Sequence, residues 1–357
     1  MHPRLDSGPV YTDALIVGAG PVGLFQVFQL GLQEINAQVV DSLPAPGGQC
    51  GELYADKPIY DIPGLPVCGG QELTDRLLQQ IKPFNAGMHF SQEVSVVQAL
   101  AGDASGFLVQ TSSGSRFVAK VLVIAAGAGA FMPRQLKLPG IDAYNGSQLF
   151  HHNGHPTQFA RQHLVIVGDG DAAIEAALQH AQASEHRPAS ITLVHRRDEF
   201  RALPVSVERM RALCASGAMR FVAGQPVGFT RTGPRLHELQ IMLGDGSIQA
   251  VRADALLVLL GLSPRLGPIN QWGLALERRQ LVVDTAKFET STPRIFAVGD
   301  INSYPGKKKL ILCGFHEATL AAYGAAAYVY PDRAMPLQYT TTSPRLQQLL
   351  GVAATGP

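Results

Sequence analysis

Two stretches that are apolar at almost every position, each running into glycines, recur along the chain. The first is LIVGAGPVGLFQVFQLG, Leu15 to Gly31, and the second is LVIVGDGDAAIEAAL, Leu164 to Leu178. An unbroken apolar run predicts a strand buried on both faces, as in the middle of a parallel sheet; a strand with one wet face would alternate. Ala14 to Val17 is therefore expected as a buried strand. Pro21 suits the first turn of the helix that follows, where its missing N–H is not needed. AQVVDS then reads as a second strand closing on Asp41. Strand, glycine turn, helix, strand and acid in that order make a dinucleotide-binding fingerprint. Gly18 permits the tight turn, Gly20 lets the backbone approach a pyrophosphate, and Gly23 lets the helix pack on the strand. Asp41, about 20 residues after the loop, is placed to accept hydrogen bonds from a ribose diol. The free N–H groups at the helix start favour phosphate charge.

The second run repeats the pattern as Gly168-x-Gly170-x-x-Ala173, with Asp171 opening the helix. Its second strand, in SITLVHRRDEFRA, ends in His195-Arg196-Arg197 with no acid, and Arg201 follows four residues later. A carboxylate at that place would accept from a 2′-hydroxyl and repel a 2′-phosphate. Arginines do the reverse, because their planar guanidinium groups donate charge-assisted hydrogen bonds to phosphate oxygens. Gly168, Gly170, Asp171 and Ala173 thus form the loop for the dinucleotide, and Arg196, Arg197 and Arg201 favour NADP(H) over NAD(H). With a nicotinamide dinucleotide in the second module, the first points to FAD, and the pair to a flavoprotein that exchanges hydride with NADP(H).

Composition narrows the remaining classes. The 357 residues carry a net charge of +1, so nothing suggests a polyanionic partner, and nucleic acid is not expected. No apolar segment precedes the first strand, and the longest apolar run, residues 121–133, falls short of the about 20 residues a membrane span needs. The four cysteines, Cys50, Cys68, Cys214 and Cys313, form no C-x-x-C pair, which argues against a disulfide framework, a zinc site or a dithiol centre and suits a cytoplasmic enzyme. His151, His152 and His155 in FHHNGH lack an accompanying carboxylate or cysteine and read as part of a linker between domains, not as a metal site.

These motifs, together with PAPGGQCGELYADKPIYDIPGLP, VLVIAAGAGAFMPR and TPRIFAVGDINSYPGKKKLI, carry a resemblance over nearly the whole chain. The chain resembles the ferredoxin (or flavodoxin)–NADP(+) reductases of the thioredoxin reductase-like type. The resemblance implies an α/β fold of two Rossmann-like (three-layer ββα) dinucleotide-binding domains. A discontinuous FAD domain would comprise residues 1–128 and 254–357, with an NADP(H) domain at 129–253 inserted between. It implies hydride exchange between NADP(H) and flavin N5 and one-electron exchange with ferredoxin or flavodoxin. It further implies FAD contacts at Gly18, Gly20, Pro21, Gly23, Asp41, Gln49, Val94, Phe131 and Asp300. Tyr54, with Tyr60 the less favoured alternative, would stack on the flavin ring, and Cys50 would lie near it. The C-terminal segment PDRAMPLQYTTTSPRLQQLLGV would cross to the second subunit of a homodimer. There Tyr339 would cover the other flavin face and Thr341 would hydrogen-bond. Thioredoxin reductases themselves carry a C-x-x-C just before the second fingerprint. NGSQLFHHNGHPTQFARQ holds no cysteine, so transfer to a protein disulfide has no starting point. Lys307 to Lys309 offer positive charge for an acidic ferredoxin. Quinone or oxygen as acceptor, or a non-enzymatic NADP(H) redox sensor, remain as alternatives.

Overall fold

The computed structural model describes residues 8–55, 57–100, 105–183, 185–333 and 339–352. The chain divides into two compact units, Met1–Ala130 with Arg265–Pro357, and Phe131–Pro264. The return to the first unit comes later than residue 254. The strand Ala255–Val258 pairs in parallel with Leu149–Phe150 and His163–Val167, and so completes the sheet of the second unit.

In the first unit the expected strand spans Val10–Val17, with Ala14 to Ile16 wholly buried. It lies between Ala37–Val40 and Arg116–Ile124, both parallel to it, and Gly87–His89 extends the sheet beyond Ala37–Val40. The strand Arg116–Ile124 forks. Its first half pairs antiparallel with Phe107–Thr111, which carries Val94–Ala99 on its far side, while Leu122 to Ile124 pair in parallel with Ile295–Ala297. The fork gives the unit a parallel sheet and an antiparallel layer from one shared strand. It also brings the Ile295–Ala297 strand, which runs into Gly299 and Asp300, beside the glycine loop of the first strand.

The helix Pro21–Leu32 packs on the long helix Ile311–Val329 through small residues. Gly314 leaves no room: a Cβ there would lie 2.3 Å from Cγ2 of Val22. The C-terminal helix Pro344–Leu349 is tied to this same unit. Ser343 caps it, Leu346 is buried, and Arg345 donates to the Gly31 carbonyl at 2.8 Å.

The second unit repeats the plan. Its sheet runs Leu149–Phe150, Ala255–Val258, His163–Val167, Ser190–His195, Arg220–Thr232, all parallel, followed by the antiparallel strands Arg235–Leu243 and Ile248–Arg252. Val165 and Val167 point into one apolar cluster, and Leu164 and Ile166 into another on the opposite face. A strand buried on both faces cannot alternate, which is why LVIV shows no polar position. His151, His152 and His155 lie well inside this unit and not in a crossing between units; His155 caps the short helix Pro156–Phe159 by accepting the Thr157 N–H.

A Cβ at Gly23 would sit 1.9 Å from the carbonyl oxygen of Gly18, which is backbone and cannot swing away. Gly23→Ala is therefore expected to destabilise the protein by about 2–4 kcal/mol, read as a lowered urea midpoint with unchanged slope. A midpoint equal to wild type would show that the loop opens without cost.

Candidate functional site

Each unit presents one glycine loop between a buried strand and the helix that follows it, Val10–Val17 and Pro21–Leu32 in the first and His163–Val167 and Asp171–Gln182 in the second. The two loops are anchored alike, although Gly18 takes a positive φ of +111° and Gly168 does not. Gly18 donates to the Val40 carbonyl at 2.8 Å and Gly168 to that of Val194 at 3.1 Å. Gly20 and Gly170 are the N-caps of helices Pro21–Leu32 and Asp171–Gln182, with φ −71° and −94° and ψ 178° at both. Neither conformation requires glycine. The protein itself does not fill the space either: a Cβ on Gly20 would meet nothing nearer than Gly48 Cα at 4.0 Å, and one on Gly170 nothing nearer than the Arg201 carbonyl at 3.9 Å. Bare backbone facing open space at a helix N-terminus is a cradle for a phosphate, and both loops fit that group. Gly18 and Gly168 are constrained from within, since a Cβ on either would lie 2.4 Å from the carbonyl of Ala125 or Leu259.

In the first unit Asp41 stands directly after the strand Ala37–Val40 and is buried. Its two oxygens accept the N–H of Ala19 at 2.5 Å and of Leu43 at 2.8 Å, which leaves lone pairs on both for a ligand hydroxyl. Burial raises its pKa above the ordinary carboxylate value, and the two backbone donors oppose that. Gly47 donates to the Ala19 carbonyl at 2.9 Å, docking the GGQC turn against the loop, and Gln49 Nε2 lies beside Gly127. Cys50 is buried and its thiol is pushed up to about 11, chiefly by desolvation and then by Cys68 and Asp300, so it stays protonated.

Asp300 is half-buried in the turn Gly299–Ile301, with its pKa raised by burial and drawn back by Lys307 and Lys309. What holds that turn is Glu317, wholly buried in the long helix. Its carboxylate accepts the Gly299 N–H at 2.7 Å, the Asn302 amide at 2.8 Å and the Tyr304 hydroxyl at 2.9 Å, and pairs with Lys307. Lys307 also donates to the Gly299 carbonyl at 2.9 Å. Lys307 is thus an internal strut and not part of a surface patch; Lys308 and Lys309 are exposed. Val94 is packed in the core, and Tyr60 is 71% exposed. The side chains of Tyr54 and Phe131 lie outside the described residues. Tyr339 is 69% exposed, next to the short turn Thr340–Thr342 that contains Thr341.

In the second unit His195 ends the strand Ser190–His195, and Arg196 and Arg197 beside it are exposed. Arg201 does not hang free. Its Nε and Nη2 donate to the two oxygens of Asp169 at 2.7 and 2.9 Å, and its backbone N–H donates to the Asp169 carbonyl at 2.8 Å. Asp171 Oδ1 accepts the Leu203 N–H at 2.8 Å, so the loop and the arginine segment are clasped twice. The Arg201 guanidinium holds the Asp169 carboxyl below its usual range despite burial, with help from His195. His195 is shifted down by burial first, with Asp169 opposing and Arg196, Arg201 and Arg197 reinforcing the shift.

Two residues of these sites escaped the sequence reading. Asp169 had a signal, since an acid inside an anion-binding loop needs a counter-charge. Glu317 had one also, as the single charge in GFHEATLAAYGAAAYVY.

The pyridine nucleotide-disulphide oxidoreductase family profile matches residues 12–322. The chain is 56% identical to the ferredoxin–NADP reductase of Methylibium petroleiphilum over 97% of this chain and 94% of that one. It is 56% identical to the ferredoxin–NADP reductase of Albidiferax ferrireducens over 98% of each. Its fold is similar to a thioredoxin reductase from Lactococcus lactis, with TM-score 0.59 and 22% identity over 90% of this chain and 99% of that one. A bacillithiol disulfide reductase from Staphylococcus aureus gives TM-score 0.62 and 16% identity over 89% and 99%.

Lys307 has a side chain only 8% exposed, so neutralising its partner strands a buried charge. Glu317→Gln is expected to cost about 3–5 kcal/mol in chemical denaturation, and Lys307→Met with Glu317→Gln to recover more than half of that. Equal losses for the single and double variants would show that the pair is not the source.

Proposed function

Because the chain belongs to the pyridine nucleotide-disulphide oxidoreductase family, and within it to the ferredoxin–NADP reductases, we propose that it is an FAD-dependent enzyme exchanging electrons between NADP(H) and ferredoxin or flavodoxin. The observation that carries this reading is the unlike charge around two like loops. The first closes on the buried carboxylate of Asp41, and the second on His195, Arg196, Arg197 and Arg201. A ribose diol suits the former and a 2′-phosphate the latter.

FAD bound in the first unit would supply two-electron chemistry towards the nicotinamide and one-electron chemistry towards the protein carrier. The chain's own residues do the holding. Gly20 and the N-terminus of Pro21–Leu32 receive the pyrophosphate, Asp41 accepts from the ribose, and Gln49 and Asp300 stand at the turns that border the loop. Glu317 and Lys307 fix the Asp300 turn so that it need not reorganise when the cofactor binds. In the second unit Gly170 and Asp171–Gln182 receive the NADP(H) pyrophosphate, and the arginines its 2′-phosphate. The Cys50 thiol, buried and held neutral, is poorly suited to dithiol exchange. The four cysteines are unpaired, which supports a cytoplasmic setting. Tyr339, exposed in one chain, is free to meet a second copy, which supports a homodimer, and Lys308 and Lys309 offer charge to an acidic carrier.

Purified FAD-loaded protein should reduce cytochrome c rapidly with NADPH, only when ferredoxin or flavodoxin is present, and far more slowly with NADH. Arg196→Ala and Arg197→Ala should each raise KM for NADPH about tenfold with kcat unchanged, as the loss of one charge-assisted contact predicts. Fast reduction without any carrier would move the acceptor to a quinone or oxygen, and no flavin reduction by NADPH would leave only a sensor. Light scattering giving a single chain's mass would remove the dimer.

A further inference from the structure

The two nucleotide modules can be compared residue by residue, because their strand registers coincide. Val17 pairs with Val40 in the first sheet and Val167 with Val194 in the second, so His195 stands where Asp41 stands. Gly18 and Gly168 are equivalent, so Asp169 stands where Ala19 stands. In the first module the acid comes from the strand end and reaches back to the loop, its Oδ2 2.5 Å from the Ala19 nitrogen. In the second the acid comes from the loop and reaches forward to the strand end, its Oδ2 3.7 Å from Nε2 of His195. The carboxylate that the second module lacks at its strand end is thus supplied from the opposite side. It is covered there: Arg201 takes both of its oxygens in a fork, while the arginine side chain stays 75% exposed with its outer edge open.

We propose that Asp169 is a selectivity-determining residue, a ribose-side carboxylate masked by Arg201, so that Arg201 both attracts the 2′-phosphate and screens it from the acid beneath. The inference rests on the assignment of NADP(H) to this module. Its physical content is that removing Arg201 does more than delete a donor. It uncovers a carboxylate that repels a 2′-phosphate and accepts from a 2′-hydroxyl. Among the described residues Arg196 has no acid partner, and Arg197 lies 3.9 Å from Glu199, a solvent-exposed carboxylate and not a buried one like Asp169, so their loss chiefly removes attraction.

The test is equilibrium titration of the FAD-loaded protein with NADP(+) and with NAD(+), followed by the flavin difference spectrum, for wild type, Arg201→Ala, Asp169→Asn and the double variant. Arg201 is largely exposed, and retained flavin reports that each variant is folded. In Arg201→Ala the NADP(+) to NAD(+) affinity ratio should fall about 100-fold, with NAD(+) bound at least as tightly as by wild type. Adding Asp169→Asn should restore NADP(+) about tenfold and weaken NAD(+), while Asp169→Asn alone should keep the wild-type preference or strengthen it. Identical affinities for Arg201→Ala and the double variant would overturn the proposal. So would a loss of preference in Asp169→Asn alone, which would make Asp169 only an anchor for Arg201. Equal wild-type affinity for the two nucleotides would instead overturn the NADP(H) assignment itself.

Discussion

Everything the two units do with nucleotides depends on how closely their backbones approach at the turn from first strand to first helix. Gly18 is held at φ +111° with Ala125 against it, and the space at Gly23 is taken by the carbonyl of Gly18. In the second unit Gly168 is confined by Leu259 and by Ala173. The crowding is internal and brings the helix start over the end of the sheet. Gly20 and Gly170, two residues further into each turn, are not crowded at all. Close packing on one side of the loop and open space on the other convert a structural turn into a phosphate cradle.

Around that shared frame the charges differ, and each unit compensates its own. The first unit buries Glu317 at the base of the Asp300 turn and answers it with Lys307 and three neutral donors, a fully used carboxylate of the kind that survives burial. This network spends its charge on shape. The second unit leaves its arginines near the surface, where they stay available to a ligand, and uses one of them to cover Asp169. On the proposed assignment, charged residues therefore serve rigidity in one unit and recognition in the other, according to depth.

Much of this was legible in the chain. The paired strand-loop-helix runs were visible because burial on both faces leaves no polar position, and Asp41 and Arg196-Arg197 could be placed because they follow their strands directly. Less local features were hidden. Lys307 looked like surface charge, since its partner Glu317 lies ten residues on and a helical turn must first bring it back. The pairing of Asp169 with Arg201 crosses from one loop to another, and no spacing along the chain announces it. The edge of the second unit was set by the strand Ala255–Val258, whose sheet partners lie far back in sequence at Leu149–Phe150 and His163–Val167. Local patterns survive reading; contacts closed by tertiary structure do not.

On the proposed assignment, like loops hold unlike nucleotides, FAD in the first unit and NADP(H) in the second. A side chain added at Gly20 or at Gly170 starts in open space at the phosphate cradle, because the nearest atoms are 4.0 and 3.9 Å from a Cβ. Bound flavin and NADP(+) affinity should be measured for each variant separately. Gly20→Val should lose the flavin, and Gly170→Val should keep it while losing NADP(+). Flavin lost from Gly170→Val and kept by Gly20→Val would contradict the assignment outright.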